Sequence, residues 1–396
     1  MSRRTSPFSR RTDWPRQTNR ITRVHEELKE QNIQIVDLTV SNPTHCGLAA
    51  PPEFLDALRD PAGLEYAADA HGLLSAREAV AGLFARRGLT VDPRDLFLTA
   101  STSEAYGFVF RLLADPGDTI LFPTPSYPLF HFLGEINDVE LGFYPLTYRD
   151  GWHIDMAGLV EALHPRVKAL VTVNPNNPTG SYLSEEERRH LNKIAAERDM
   201  ALISDEVFYE FPLGDAPGAS LAGNAPALTF TLGGLSKFLG LPQMKLAWIL
   251  LSGPDHLAAE ARQRLEIIAD TYLSVNTPVQ CALPAWLRQA DTVQAPILRR
   301  VRENWEYLNR EAAGLRGTQV LRAEGGWYAV LKVAPVRSEE EWVLKLLSKY
   351  HVFVHPGFFY DFEDGPCLVV SLLVPPDDFR EGIGRVLSRV EQQGGA

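Results

Sequence analysis

The stretch GGLSKFLGLPQMK puts Lys237 among glycine, leucine and phenylalanine, just after the strand-like run LTFTL (228–232). Small and apolar neighbours lower an amine's pKa and suit it to nucleophilic work. A solvated loop lysine would read the same way locally. The phosphate-loop pattern G-x-x-x-x-G-K-[ST] is absent, because serine precedes this lysine. Three more turns place polar groups after apolar runs. LTASTSEAY opens a helix on Ser101, Thr102 and Ser103, where free N–H groups and the positive dipole end suit a phosphate. Ser101 with Glu104 also spells a capping box. VNPNNPTG leaves Asn174, Asn176 and Asn177 in a turn fixed by Pro175, Pro178 and Gly180. LISDEVFYEF ends a strand on Asp205, a carboxylate that needs a cation or donors there, or else serves as a cap or structural ion pair.

The elements that must position these groups alternate. Strand-like DLFLTA, DTILFP, VELGFYPL, VKALVTV, MALISD, LTFTL and LAWILL are separated in several places by helical stretches such as SEEERRHLNKIAAER. This pattern implies an α/β chain with a mostly parallel sheet, helices on both faces and ligands at the strands' carboxyl ends. Beyond about residue 278 the texture changes to a long amphipathic helix near 291–315 and the strands WYAVLKV, VFVHPG and CLVVSLLV. The expected division is an arm (1–30), a small domain (31–55 and 290–396) and a large domain (56–289).

The 396 residues carry a formal charge of −11, which argues against nucleic acid as a general partner. Only the first twenty residues are basic, with Arg3, Arg4, Arg10, Arg11, Arg16 and Arg20 against Asp13. A short arm packing on the body accounts for them. No apolar run is long enough to span a bilayer. Three scattered cysteines suggest a reduced, cytoplasmic chain. The ten histidines form no metal-ligand spacing, so no metal is expected.

Taken together, the serine turn, NPNNPTG, SDEVFYEF and LSKFLGLPQMK occur in one order over roughly residues 30 to 390. This set resembles the class I/II aminotransferases, the aspartate-aminotransferase-like enzymes of fold type I that depend on pyridoxal 5′-phosphate. The resemblance implies a large domain with a mostly parallel seven-stranded sheet and a smaller C-terminal α/β domain. It implies that Lys237 holds the cofactor as a Schiff base and shuttles the proton. Asp205 would pair with the ring nitrogen, Asn177 with the ring's 3-oxygen, and Tyr127 would stack on the ring. Ser101, Thr102, Ser103 and Lys245 would hold the phosphate. Tyr66 would reach the neighbouring subunit's phosphate, which implies a homodimer with shared sites. Asn42, in SNPT, would close over the substrate.

Four positions depart from the family pattern. Phe208 stands for a tyrosine, Lys245 for an arginine, Gly234 for a serine, and Val369 for the arginine that binds the substrate carboxylate. Arg20, Arg11 and Arg322 are the candidate replacements for that arginine, with Arg20 first. Thr271 in place of a distal arginine disfavours acidic substrates. The expected function is amino transfer between an amino acid and a 2-oxo acid. The alternative is another fold type I chemistry, as a lyase, decarboxylase, racemase or oxidase. A sensor domain of a transcription regulator is discounted, because the segment before residue 21 is too short for a DNA-binding domain.

Overall fold

In the runs TILFPT, VKALVTV and ALISD, alternate residues enter different apolar layers. Ile120, Phe122, Ala169, Val171, Ala201 and Ile203 join one core with the helix Thr102–Leu113. Leu121, Leu170 and Leu202 join another with the helix Glu185–Glu197. A strand covered on both faces reads as a continuous apolar run, and these do. Strand parity then fixes the direction of Asp205. It follows Ala201 and Ile203 at two-residue steps and so faces the helix Thr102–Leu113.

The computed structural model describes residues 7–394, so Arg3 and Arg4 of the basic arm, like the last two residues, lie outside the described part. In chain order the strands begin with β1 (Val36–Asp37), β2 (Leu96–Thr99), β3 (Thr119–Thr124), β4 (Glu140–Tyr148) and β5 (Trp152–Ile154). Next come β6 (Val167–Val173), β7 (Ala201–Asp205), β8 (Thr229–Gly234), β9 (Ala247–Ser252) and β10 (Thr318–Val320). The chain finishes with β11 (Tyr328–Val333), β12 (Val352–Phe353), β13 (His355–Pro356) and β14 (Cys367–Ser371).

The large sheet has the order β2-β9-β8-β7-β6-β3-β4-β5. Neighbours from β8 through β4 are parallel, while β9 runs antiparallel to both β2 and β8. The expected count of seven strands is thus corrected to eight. The extra one is β5, folded back on β4 by the Asp150-Gly151 turn, a dipeptide that favours tight hairpins.

The smaller sheet is antiparallel, β10-β11-β14-β13. The N-terminal segment lies beside it: β1 pairs in parallel with β12 as a separate two-stranded sheet, and Ser371 N of β14 donates to Leu38 O at 2.7 Å. The stretch expected to be an arm has two parts. Near its start Trp14 packs edge-on against Phe132 with ring centroids 5.1 Å apart, and Arg11 pairs with Asp138 at 3.1 Å. Residues Arg20–Glu30 are instead a helix, capped by Asn19, that buries Ile21 and Leu28 and packs on the helix Glu339–Tyr350. Its apolar positions are seven apart, two turns along one face. No helix among the described residues is long and apolar enough to cross a membrane.

Candidate active site

The turns after β2, β3, β6, β7 and β8 all leave the carboxyl ends of strands that run the same way. They bring Ser101, Tyr127, Asn177, Asp205 and Lys237 to one edge of the sheet, where open α/β sheets bind ligands.

Lys237 sits in the one-turn helix Leu235–Phe238 that follows β8. Its Nζ lies 5.4 Å from the centre of the Phe208 ring and 5.2 Å from that of Trp327. Burial between these rings pulls the amine down to about 8, and the negative charge of Asp205 partly opposes this. Such an amine is deprotonated far more readily than an exposed one.

Asp205 is 8% exposed. Burial pushes its carboxyl up to about 6, while donation from Val207 N (3.2 Å) and Tyr106 Oη (3.0 Å) pulls it back. The adjacent Glu206 has a different task. It pairs with Arg87 at 2.9 Å and accepts from Ser220 and Leu221 N, away from Lys237.

The three turn asparagines separate by partner. Asn174 donates to Ala219 O and accepts from Leu183 N. Asn176 donates to Pro125 O and Thr179 Oγ1. These two hold the turn, whereas the buried Oδ1 of Asn177 has no protein partner. An amide left unpaired in this way calls for a ligand.

Ser101 caps the helix Thr102–Leu113 by accepting from Glu104 N at 3.1 Å, with Thr102 and Ser103 in its first turn. The box is only half formed, since Glu104 reaches back to Ala100 N rather than Ser101 N. Tyr127 is 43% exposed at the cleft. Lys245 is exposed and holds a left-handed backbone, φ 50°. Gly234 lies opposite Ala247 across β8 and β9, and a Cβ on it would come 2.9 Å from that of Ala247. This close approach explains the missing serine.

Phe208 and Tyr209 take different sides, as expected of them. Phe208 faces Lys237, while Tyr209 stacks on Arg87 and donates to Gly218 O at 2.8 Å. No hydroxyl therefore replaces the missing tyrosine from that neighbour.

The other expected residues make contacts of their own. Asn42 caps its own turn, accepting from Thr44 N and Oγ1. Ser41 beside it instead receives the hydroxyl of Tyr328 at 2.8 Å, a contact that sequence reasoning missed. Arg20 is exposed and acts on Glu341 of the helix Glu339–Tyr350, outside the Lys237 cluster. Arg11 is held by Asp138, and Arg322 is exposed 3.8 Å from Glu324. Val369 is buried in a cluster with Val330, Trp152 and Tyr360. Tyr66 is 83% exposed. Among the described residues there is no cluster fit for a metal ion.

Residues 29–386 match the family model described as aminotransferase class I and II. A glutamate–pyruvate aminotransferase of Haemophilus influenzae is 28% identical over 346 residues, covering 84% of this chain and 86% of that protein. An alanine aminotransferase of Mycobacterium tuberculosis is 29% identical, covering 83% and 79%. A tyrosine aminotransferase of Mus musculus is 28% identical, covering 91% and 82%. Among solved structures, an alanine aminotransferase from Pyrococcus furiosus superposes with a TM-score of 0.85 at 25% identity, covering 94% of this chain and 96% of that one. The architecture is that of the fold type I aminotransferases, and the chain belongs to the aminotransferase class I and II family.

Proposed function

We propose that this aminotransferase works on pyridoxal 5′-phosphate carried by Lys237, moving an amino group between an amino acid and a 2-oxo acid. The observation that carries this reading is Lys237 set against the Phe208 and Trp327 rings just past β8, with the buried Asp205 ending the neighbouring β7; burial lowers the amine to about 8 and raises the carboxyl to about 6. The unpaired Asn177 amide completes the set and fits the group. Turning that amide by 180° exchanges its oxygen for an NH2 that can meet the ring's 3-oxygen. When bound, the cofactor supplies an electron sink for the substrate carbon that loses its proton. Asp205 would hold the proton on the ring nitrogen. Lys237 would take the proton from the α-carbon and return it. Tyr127 would cover the ring, and Ser101, Thr102 and Ser103 would hold the phosphate at the helix N-terminus, with charge from Lys245. Phe208 offers no hydrogen bond, so it contributes shape and dryness beside the amine.

In this reading the large unit (56–289) carries the cofactor and the small one (31–55 and 290–396) covers it. A second copy would bury Tyr66, and the exposure of Leu64 (92%) and Ile267 (71%) supports such an interface. The free cysteines, two of them buried, support a reducing cytoplasmic setting. The relatives' names favour amino transfer over lyase, decarboxylase, racemase or oxidase chemistry. They also direct the first donors to try. Alanine, glutamate or tyrosine should bleach the absorption of the loaded enzyme, and pyruvate or another 2-oxo acid should restore it. Bleaching by no amino acid in a broad panel would defeat the reading.

A further inference from the structure

The hydroxyl of Tyr106 donates to Asp205 Oδ2 at 3.0 Å from the second turn of the helix Thr102–Leu113. Tyr106 is 2% exposed. Its ring is pinned by Phe130 edge-on, centroids 5.3 Å apart, and by Phe110 at 5.7 Å. A ring so enclosed has little freedom to turn, so the hydroxyl is aimed by packing. Val207 N meets the other oxygen, Oδ1, at 3.2 Å. The two donors therefore fix the carboxylate's rotation, and each oxygen keeps a lone pair for a further partner.

We propose that Tyr106 is a positioning residue: it holds Asp205 in one orientation and in its ionised form, ready to meet a cation at the cleft. In the proposed function that cation is the protonated ring nitrogen, so the catalytic meaning rests on that reading. The contact itself belongs to the protein alone. Other groups facing Asp205 do not do the same work. Lys237 attracts the charge from beyond β8, Glu206 repels it from the next residue, and Tyr127 lies within its field beyond β3. Tyr144 acts on Tyr106 from β4 and donates its own proton to Val171 O. Tyr106 and Val207 N are the two groups that donate to the carboxylate. A buried carboxylate without its donors protonates more readily, and a protonated one cannot stabilise a neighbouring positive nitrogen.

The test is made on the apoprotein, by thermal unfolding between pH 5 and 9. Four forms are compared: wild type, Tyr106→Phe, Asp205→Asn and the double variant. A carboxyl raised by folding binds its proton more tightly in the folded chain. Its effect is to lower stability as pH climbs from the ordinary 3.8 to about 6, and to stay constant above that. Referenced to the Asp205→Asn forms, the wild-type decline should level off near pH 6. With Tyr106→Phe it should continue about one unit higher, the size expected for one hydrogen bond to a charged group. In the Asp205→Asn background, Tyr106→Phe should have an effect that does not vary with pH. Coincident midpoints for wild type and Tyr106→Phe would overturn the proposal. So would an effect of Tyr106→Phe that is equal and pH-independent in both backgrounds, because the hydroxyl would then not act through the Asp205 charge. Because no cofactor is present, this result stands apart from whether Lys237 carries one.

Discussion

Asp205 is expensive where it stands, and that expense points to its use. An ionised carboxylate at a buried strand end is tolerated when donors and an opposite charge face it, and here Val207 N, Tyr106 and Lys237 do. Replacing it by asparagine keeps the shape and one acceptor but removes the charge. Asp205→Asn should lower kcat by about 10²–10³-fold, in line with loss of one preorganised electrostatic partner. An unchanged kcat in steady-state assays would contradict its role. At this scale the sequence was informative only in combination. Lys237, Asp205 and Asn177 stood out as a set, although each alone had an ordinary explanation. Tyr106 was not legible, because it lies in the apolar run AYGFVF and reads as core. The clue available was general: a tyrosine on a fully buried helix face needs an acceptor for its hydroxyl. Arg20 was singled out by charge. Its charge suggested a carboxylate, but the helix that starts with it lies against the small sheet's outer cover.

Between elements, an ion pair adjoins the site through Glu206, the neighbour of Asp205. Arg87, just past the helix Leu74–Arg86, bonds Glu206 at 2.9 Å and Glu210 through its Nε, and its guanidinium lies 4.2 Å from the Tyr209 ring centre. The Glu206 side chain is 2% exposed, so removing the cation strands a buried charge. Arg87→Ala should cost about 3–5 kcal/mol of stability, read from urea unfolding. A loss well under 1 kcal/mol would show that Ser220 and Leu221 N suffice to hold Glu206. Because Glu206 and Asp205 are adjacent, the same variant should disturb the turn that aims Asp205. The strand ending on Asp205 was legible as an apolar run, whereas the helix Leu74–Arg86, which no side chain caps, was not read from the sequence. What sequence spacing did not reveal was the pairing of Arg87 with Glu206 across 119 positions.

Across the whole molecule, the alternating pattern translated directly into the large sheet, because its strands are buried on both faces and read as apolar runs. The missed strand, β5, is three residues long and half exposed, with no such run to betray it. The helix Arg20–Glu30 was hidden by the basic residues ahead of it, since charge drew attention from Ile21 and Leu28. The exposed Tyr66 and Leu64 belong to this scale as well. In the proposed homodimer a symmetric pair would cover them. Sedimentation should therefore give twice the 44.1 kDa chain mass, and a monomer at assay concentrations would contradict shared sites.

The central claim is that Lys237 carries the cofactor, and one measurement addresses it directly. Borohydride should fix pyridoxal phosphate irreversibly to the loaded protein, and peptide mapping should find the label on Lys237. Lys237→Ala should lose both the label and turnover. A label on Lys245 or another lysine, or full turnover in Lys237→Ala, would contradict the account.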